Sequence, residues 1–585
     1  MEITLKEEKL SVEFKTVFAE YYSALDANSQ YPEQKWQAWE SDPNIIVYRA
    51  VENDETRGWI LLNRQNSSIE EILGKQMGAD AELAVLMLDA LVARESLVSA
   101  EILKEDAEKY RWLVDYGFRP TRHFRFHGFN CIGMELSTTV YFEKVKGKGP
   151  SKPYPDQTQV AVEKVPETRT SVEIKTALMN VLDALGGLEK FLQKGQTVVI
   201  KPNVVSDHGL RNGVYYGGVV TDIGLLKGLL EILLPLAGKI IIAEGSSINR
   251  AETMQLFKHY GYDKLMDLDS EKIQLVDLHQ DKLVKKTVPR GKRMTSREIP
   301  VTFEKADVII NMPVMKTHFA ALASLSIKNL QGALPPLEKY MTHFFGLWQN
   351  LVNIHYLVKP NLIIMDALTG QEDFGPVYGT PKEMNLVLGG TNAVAVDAVA
   401  MRIMGLDPAL SPPVQMAYLQ GMGPTEPQKI EVLGASIDEV KRPFKEAEID
   451  LRGGRDFKVH ADRACSGCRG YLHYVLHKLR RSDPKNPDRL LIDRPFEKQV
   501  NLFLGPVTTA DPNPEDTNVF MGICQQHHAG MGKHLAGCPP HAEAIMKGIF
   551  SLFPDVERPQ YADQNAEDKL EAMLKEVLAD DYVEG

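Results

Sequence analysis

Residues 307–318 read DVIINMPVMKTH: a branched apolar run, a Pro, a second short apolar run, then Lys316, Thr317 and His318. A short apolar run bounded by turn residues reads as a buried strand. Four more runs have the same form: TVVIKPN (197–203), KIIIAEG (239–245), NLIIMDA (361–367) and MNLVLGG (384–390). Helical periodicity fills the intervals, so residues 159–440 read as an α/β domain with a central, mostly parallel sheet and flanking helices.

In an open parallel sheet, ligands bind in the crevice beyond the carboxyl ends of the strands. The residues just past each apolar run are therefore the candidates for a site. Lys201, Pro202 and Asn203 come after the first, Glu244, Gly245 and Ser246 after the second, and Lys316, Thr317 and His318 after the third. Asp366 comes after LIIM, and Thr391, Asn392 and then Asp397 after NLVLGG. The segment KTHFAALASLSIKNLQG adds Lys328 and Asn329, with Lys339 and His343 beyond it. Cations beside apolar segments suit an anionic small ligand such as a carboxylate or phosphate. The expected site has Lys201, Asn203, Glu244, Lys316, Lys328 and Asn329 binding substrate, with His318 and Asp397 as proton-transfer groups. Neither a P-loop nor a GxGxxG turn succeeds any strand, so a standard nucleotide site is not indicated. KKTVPRGKRMTSR (285–297) reads as an exposed hairpin.

Working outward, residues 1–145 mix short strands and helices, and the Lys-, Gly- and Pro-rich 146–158 read as a linker. Residues 441–560 are loop-rich and hold four of the five cysteines. Residues 561–585 form a helix with Leu570, Met573, Leu574, Val577 and Leu578 on one face. The net charge of −12 argues against a general nucleic-acid binder. The most apolar stretch, 223–243, is broken by Lys227, Glu231, Pro235 and Lys239, so it reads as a buried helix and strand and not as a membrane span. MEITLKEEKLSVEFK has no apolar signal core. The expectation is a cytoplasmic chain with reduced thiols.

The cysteines are spaced Cys465-x2-Cys468 and Cys524-x13-Cys538, with Cys131 standing apart as a core thiol. A C-x2-C turn offers two sulfurs to one metal site, and both zinc and iron–sulfur centres use it. The x13 spacing is no second zinc knuckle, and Pro539 directly after Cys538 suits an iron–sulfur ligand. One 4Fe–4S cluster on Cys465, Cys468, Cys524 and Cys538 is expected, with zinc as the alternative. The helix after Cys468 buries Leu472, Val475, Leu476 and Leu479 and brings its N-terminus to the cluster. Four histidines, His527, His528, His534 and His541, lie nearby.

KPN (201–203), EGS (244–246), DVIINMPVMKTH, SIKNLQG (326–332), GP (375–376) and VAVDAVA (394–400) together resemble the domain of unknown function 362 family across about 160–435. That resemblance implies an α/β core, frequent fusion to iron–sulfur modules, hosts that are largely anaerobic, and no settled reaction. YRWLVDYGFRPTRHFRF, ending in GMEL, resembles the closing part of GNAT-type acyltransferases. The pyrophosphate-binding pattern [QR]-x-x-G-x-[GA] is missing from LGKQMGADAELAVLMLDALVAR (73–94), so the resemblance implies a degenerate GNAT-like α+β domain. The function expected is a 4Fe–4S-dependent oxidoreductase acting on an anionic small molecule or cofactor precursor, with an electron-donor protein such as a ferredoxin as partner. The alternative is a non-catalytic electron carrier or metallocofactor assembly protein.

Overall fold

The computed structural model describes residues 3–26, 28–75, 81–95, 97–150, 153–247, 252–289, 291, 294–508, 510–559 and 566–580. The N-terminal region is a seven-stranded sheet. Its strands pair antiparallel except Ser68–Gly74 and Ser99–Leu103, which run parallel. Alternation along the strands gives the sheet two cores, as period-2 geometry requires. Val47, Trp59 and Leu61 meet the aromatic helices Val12–Leu25 and Tyr31–Ser41. Ile46, Tyr48, Ile60 and Leu62 meet Met87, Leu88 and Leu91 of helix Ala81–Val92. Cys131 is packed in the aromatic core, and burial pushes its thiol up to about 11. Residues 76–80, within the stretch where a pyrophosphate turn would fall, lie outside the described residues.

The α/β domain is built on eight strands: β1 (Thr158–Lys164), β2 (Thr197–Lys201), β3 (Lys239–Glu244), β4 (Ile273–Asp277), β5 (Val308–Asn311), β6 (Leu362–Glu372), β7 (Thr380–Gly390) and β8 (Ile430–Gly434). They lie in the order β4-β3-β2-β5-β6-β7-β1-β8. Val198, Val199 and Ile200 of β2 are fully buried, as expected of a strand covered on both faces. Strands β2 to β6 are mutually parallel. β7 runs antiparallel between β6 and β1. The sequence places MNLVLGG in the parallel set; the structure reverses it, because residues 373–379 are too short a link for a parallel crossover. Beyond β5, Val314–His318 continues beside β6 and pairs with Leu322–Ser324.

Five helices matter for the site: α1 (Ser326–Asn329), α2 (Pro336–Phe344), α3 (Ala393–Ile403), α4 (Ser466–Leu479) and α5 (Ala542–Phe550). The 283–300 segment is a hairpin as expected, but it is not simply exposed. Arg297 is 1% exposed, with its guanidinium 2.8 Å from Glu338 of α2 and 2.8 Å from the Asn350 carbonyl. Residues 441–560 are more regular than the sequence suggests. Phe457–His460, Val500–Leu504, Thr517–Met521 and Lys533–Leu535 form a four-stranded parallel sheet. Helix Ala566–Asp580 packs Leu570 and Leu574 against Tyr340, Met341 and Phe345, while Met573 stays exposed. The side chains of Val577 and Leu578 lie outside the described residues. Among the described residues no helix is long and apolar enough to cross a membrane.

Candidate functional site

Beyond the carboxyl ends of β2, β3 and β5 lies a cavity of about 220 Å³. Lys201, Asn203, Glu244, Lys316, His318, Lys328 and Asn329, expected from different strands and loops, all line it. Lys201 ends β2, Glu244 ends β3, and Lys316 and His318 sit on the strand after β5. α1 supplies Lys328 and Asn329, and α2 adds Lys339 and His343.

The four lysines differ in their partners. Lys201 is fully buried and ion-paired, its Nζ 2.8 Å from Glu244 Oε1 and 2.9 Å from the Pro202 carbonyl. Glu244 is further satisfied by the Val204 and Gly245 N–H groups. A side chain at Gly332 would collide with this pair, so a glycine stands there. The other three have neutral acceptors and, among the described residues, no carboxylate at ion-pair distance. Lys316 donates to Asn203 Oδ1 at 2.6 Å and the Val219 carbonyl at 2.9 Å. Lys328 donates to Gln331 Oε1 at 3.2 Å. Lys339 donates to the Gly245 and Ser246 carbonyls, both at 2.7 Å, and its Nζ lies 2.7 Å from His279 Nε2. Burial, with the charges of Lys328 and Lys201 behind it, pushes Lys316 down to about 7. Burial takes Lys339 to about 7 and Lys328 to about 8. A bound anion would reverse these shifts, because an opposite charge favours the protonated form.

His318 carries a different chemistry from the one its sequence position suggests. Its Nδ1 accepts from the Ala320 and Ala321 N–H groups at 3.0 and 3.3 Å. That fixes the proton on Nε2 in the neutral ring. Burial first, then the charges of Lys328 and Lys316, hold His318 well below its ordinary value. With one nitrogen occupied and the other protonated, the ring is a hydrogen-bond donor and not a base.

His343 lines the cavity, hydrogen-bonds the Pro539 carbonyl, and has a buried Nδ1 without a hydrogen-bond partner among the described residues. Phe319, Tyr378, Tyr471 and Tyr474 add an aromatic part to the lining. The tyrosines of α4 are hard to see in the sequence because they flank the Leu472/Val475/Leu476/Leu479 stripe, which is buried as expected. His541 also lines the cavity, its ring 4.9 Å from that of His343.

Asp397 is not on the cavity wall. Its two carboxylate oxygens accept from the Ser326 and Ile327 N–H groups at 2.8 and 3.0 Å. It is 1% exposed, and burial pushes it up to about 7. The expected proton-transfer residue is therefore an anchor that fixes the start of α1, the helix that presents Lys328 and Asn329. Because β7 runs antiparallel, Thr391, Asn392 and α3 leave the sheet at the opposite edge. Asp366 does not reach the cavity either. β6 continues past it, and it accepts from the Asp222 and Leu368 N–H groups.

The four expected thiols converge beside this cavity. Cys465 caps α4 and Cys468 lies in its first turn. Cys538 is fastened to the end of α2 and the residues after it: its N–H donates to the His343 carbonyl at 2.9 Å and its carbonyl accepts from Leu347 at 2.7 Å. The Cys465 thiol is brought down to about 7 by its hydrogen bond with Cys468. That same bond pushes Cys468 well up, with burial and the charges of Cys465, Cys524 and Cys538 adding to it. Each sulfur is thus close enough to feel the others. At Gly522, a Cβ would lie 3.3 Å from Cys468 Sγ on a backbone with φ +85°, so the loop before Cys524 leaves room against that thiol. Among the described residues no three His, Cys, Asp or Glu side chains gather around a point as a single ion would need. His534 bonds the Gly522 carbonyl and His528 bonds Gln525. His473 Nδ1 accepts from the Asp450 N–H at 2.8 Å.

Residues 198–402 match the family described as Domain of unknown function (DUF362). The DUF362 segment runs from β2 to α3 and holds every cavity lysine, but none of the cysteines. A thylakoid-associated protein of Synechocystis sp. is 26% identical over 285 residues, covering 46% of this chain and 84% of its own. Similar solved structures include YjaB of Escherichia coli, 11% identical, covering 23% of this chain and 98% of that one, with a TM-score of 0.20. A spermidine N-acetyltransferase SpeG chimera from Vibrio cholerae and hSSAT is 12% identical and covers 24% and 99%, with a TM-score of 0.19. An acetyltransferase assigned to the GNAT family, from Desulfovibrio desulfuricans, is 13% identical and covers 23% and 98%, with a TM-score of 0.18.

Proposed function

We propose that this chain is an iron–sulfur oxidoreductase acting on an anionic small molecule held by the lysines of the cavity. One observation carries the reading: the thiol site and the cavity share walls. α4 holds Cys468 and, one turn on, Tyr471 of the cavity, while the chain from Cys538 reaches the cavity at His541. Cys465, Cys468, Cys524 and Cys538 would hold a 4Fe–4S cluster, and their convergence from three segments fits such a group. When bound, it supplies electrons one at a time.

The remaining chemistry belongs to the chain. Lys316, Lys328 and Lys339 bind anionic groups of the substrate by charge-assisted hydrogen bonds. His318 Nε2–H donates to an oxygen on which charge develops, a role that a neutral ring serves. A substrate that gains electrons also takes up protons, and the ammonium groups of Lys316 and Lys339, kept protonated beside a bound anion, carry protons into the cavity. An electron carrier has no need of this cavity, so the enzyme reading is preferred. A reducing compartment such as the cytoplasm keeps the thiols free, and a ferredoxin-like protein is the electron donor this chemistry calls for. Anaerobic isolation with metal analysis and mass spectrometry tests the reading. Iron together with a co-isolated small anion is expected. Stoichiometric zinc in a colourless protein would count against it.

A further inference from the structure

We propose that the N-terminal domain is a working part of the thiol site, with Ser137 and Thr138 as positioning residues whose hydroxyls set the electron affinity of the centre held by Cys524 and Cys538. This rests on the cluster reading above and adds a part of the chain that lies outside the DUF362 segment.

The contacts are specific. Ser137 Oγ lies 3.2 Å from Cys524 Sγ, and the Thr138 hydroxyl, next along the chain, acts on the Cys538 thiol to favour its ionised form against the pull of burial. Ser137 precedes helix Thr138–Lys144 in the N-cap position, where a serine ordinarily accepts from its own helix. Here it makes no such bond, and its hydroxyl turns to the sulfur instead. Ser137 is 2% exposed and its N–H donates to the Gly117 carbonyl at 3.1 Å, so the domain's own frame fixes its position.

Arg119 locks the two parts together. Its Nε donates to the Cys524 carbonyl at 3.0 Å and its Nη2 to the Pro506 carbonyl at 2.7 Å, while Nη1 holds Val114 of its own domain. Glu143 and Arg463 form a further ion pair across the same junction.

A hydroxyl donating to a cluster-bound sulfur favours the more negative, reduced state, so it raises the reduction potential. Neither hydroxyl is a ligand; each acts through a cysteine. The domain is thereby a collar on the metal centre.

The test is an anaerobic EPR redox titration of full-length protein, with iron analysis of every sample, for wild type, Ser137→Ala, Ser137→Thr and Thr138→Val. Expected are unchanged iron content, a lower midpoint potential for Ser137→Ala and Thr138→Val, and a wild-type potential for Ser137→Thr, which keeps the hydroxyl. Should Ser137→Ala lose iron, Thr138→Val read against wild type carries the test. Potentials unmoved in both hydroxyl-deleted variants, with iron retained, would overturn this inference alone. A wild-type protein without iron would overturn the cluster reading and this inference with it.

Discussion

Two regions of this molecule bury lysines, and they do it in opposite ways. In the N-terminal domain Lys109, 1% exposed, contacts Glu71 and lies 3.4 Å from Asp106, and Tyr22 and Tyr21 add hydroxyls to those carboxylates. Lys35 likewise meets Glu70 at 3.0 Å. Burial pulls Lys35 down, yet Glu70 and Glu101 outweigh it and hold the ammonium above its ordinary value. Among the described buried lysines of the α/β domain, only Lys201 is answered in this way. Lys316, Lys328 and Lys339 face amide and carbonyl oxygens across an open cavity, and burial depresses all three. A buried lysine matched by carboxylates closes a structure. Three unmatched ones around a void define what has to fill it: negative charge.

The sharpest way to break that comparison is to remove one lysine from each region. Lys109→Met strands Glu71 and Asp106 in the core, and a loss of about 3–5 kcal/mol is expected in denaturant unfolding. Lys316→Met strands nothing charged. Its unfolding free energy should stay within about 1 kcal/mol of wild type, while sulfate affinity by calorimetry falls about ten- to hundredfold, or about 1.5–3 kcal/mol. Equal destabilisation by both substitutions would dissolve the distinction.

pH gives a finer cut. Sulfate does not titrate between about pH 6 and 9, so any change over that range belongs to the protein. Below 7 the three lysines are charged and ready; as pH rises through about 7 to 8 they lose protons. Anion affinity should fall by up to about tenfold per pH unit for each lysine that must recharge. Binding at about pH 8 should take up protons, seen as a dependence of heat on buffer ionisation enthalpy. Affinity that is flat across this range would place the anion elsewhere.

Smaller still is the share of His318. His318→Ala should cost about 1 kcal/mol, or roughly fivefold in affinity, and His318→Gln should recover part of it by restoring an N–H donor. A histidine-like inflection near about pH 6 would contradict the donor role. For the N-terminal domain the expected effect is none: acetyl-CoA added to the full-length chain should give no binding heat, because the pyrophosphate pattern is missing from residues 73–94.

Much of the cavity was legible because strand ends announce themselves. Lys201, Glu244 and Lys316 each stand directly after an apolar run, and parallel topology brings such positions together. Asp397 was misplaced because strand direction is hidden, and Asp366 because its strand runs on past the apolar core to Glu372. LIIM and NLVLGG look alike as buried strands, and only the short link 373–379 tells that the second runs back. VNLFLG (500–505) and TNVFMG (517–522) are equally apolar and bounded by glycine, yet the loops around them masked the parallel C-terminal sheet. The donor role of His318 could not be read at all, since it depends on two backbone N–H groups that meet Nδ1 only once the turn at Ala320 has formed. Ser137 escaped for a similar reason. Its partner Cys524 is far along the chain, and a serine before a helix reads as an ordinary cap.

The most direct measurement is EPR of anaerobically prepared, dithionite-reduced protein with and without sulfate, compared with Lys316→Met. The expected result is a reduced iron–sulfur signal from about four irons per chain, with a line shape that shifts when sulfate enters the wild-type cavity and does not shift in the variant. A colourless, zinc-loaded protein, or an iron signal indifferent to the anion in both, would contradict a redox centre serving a lysine-lined cavity.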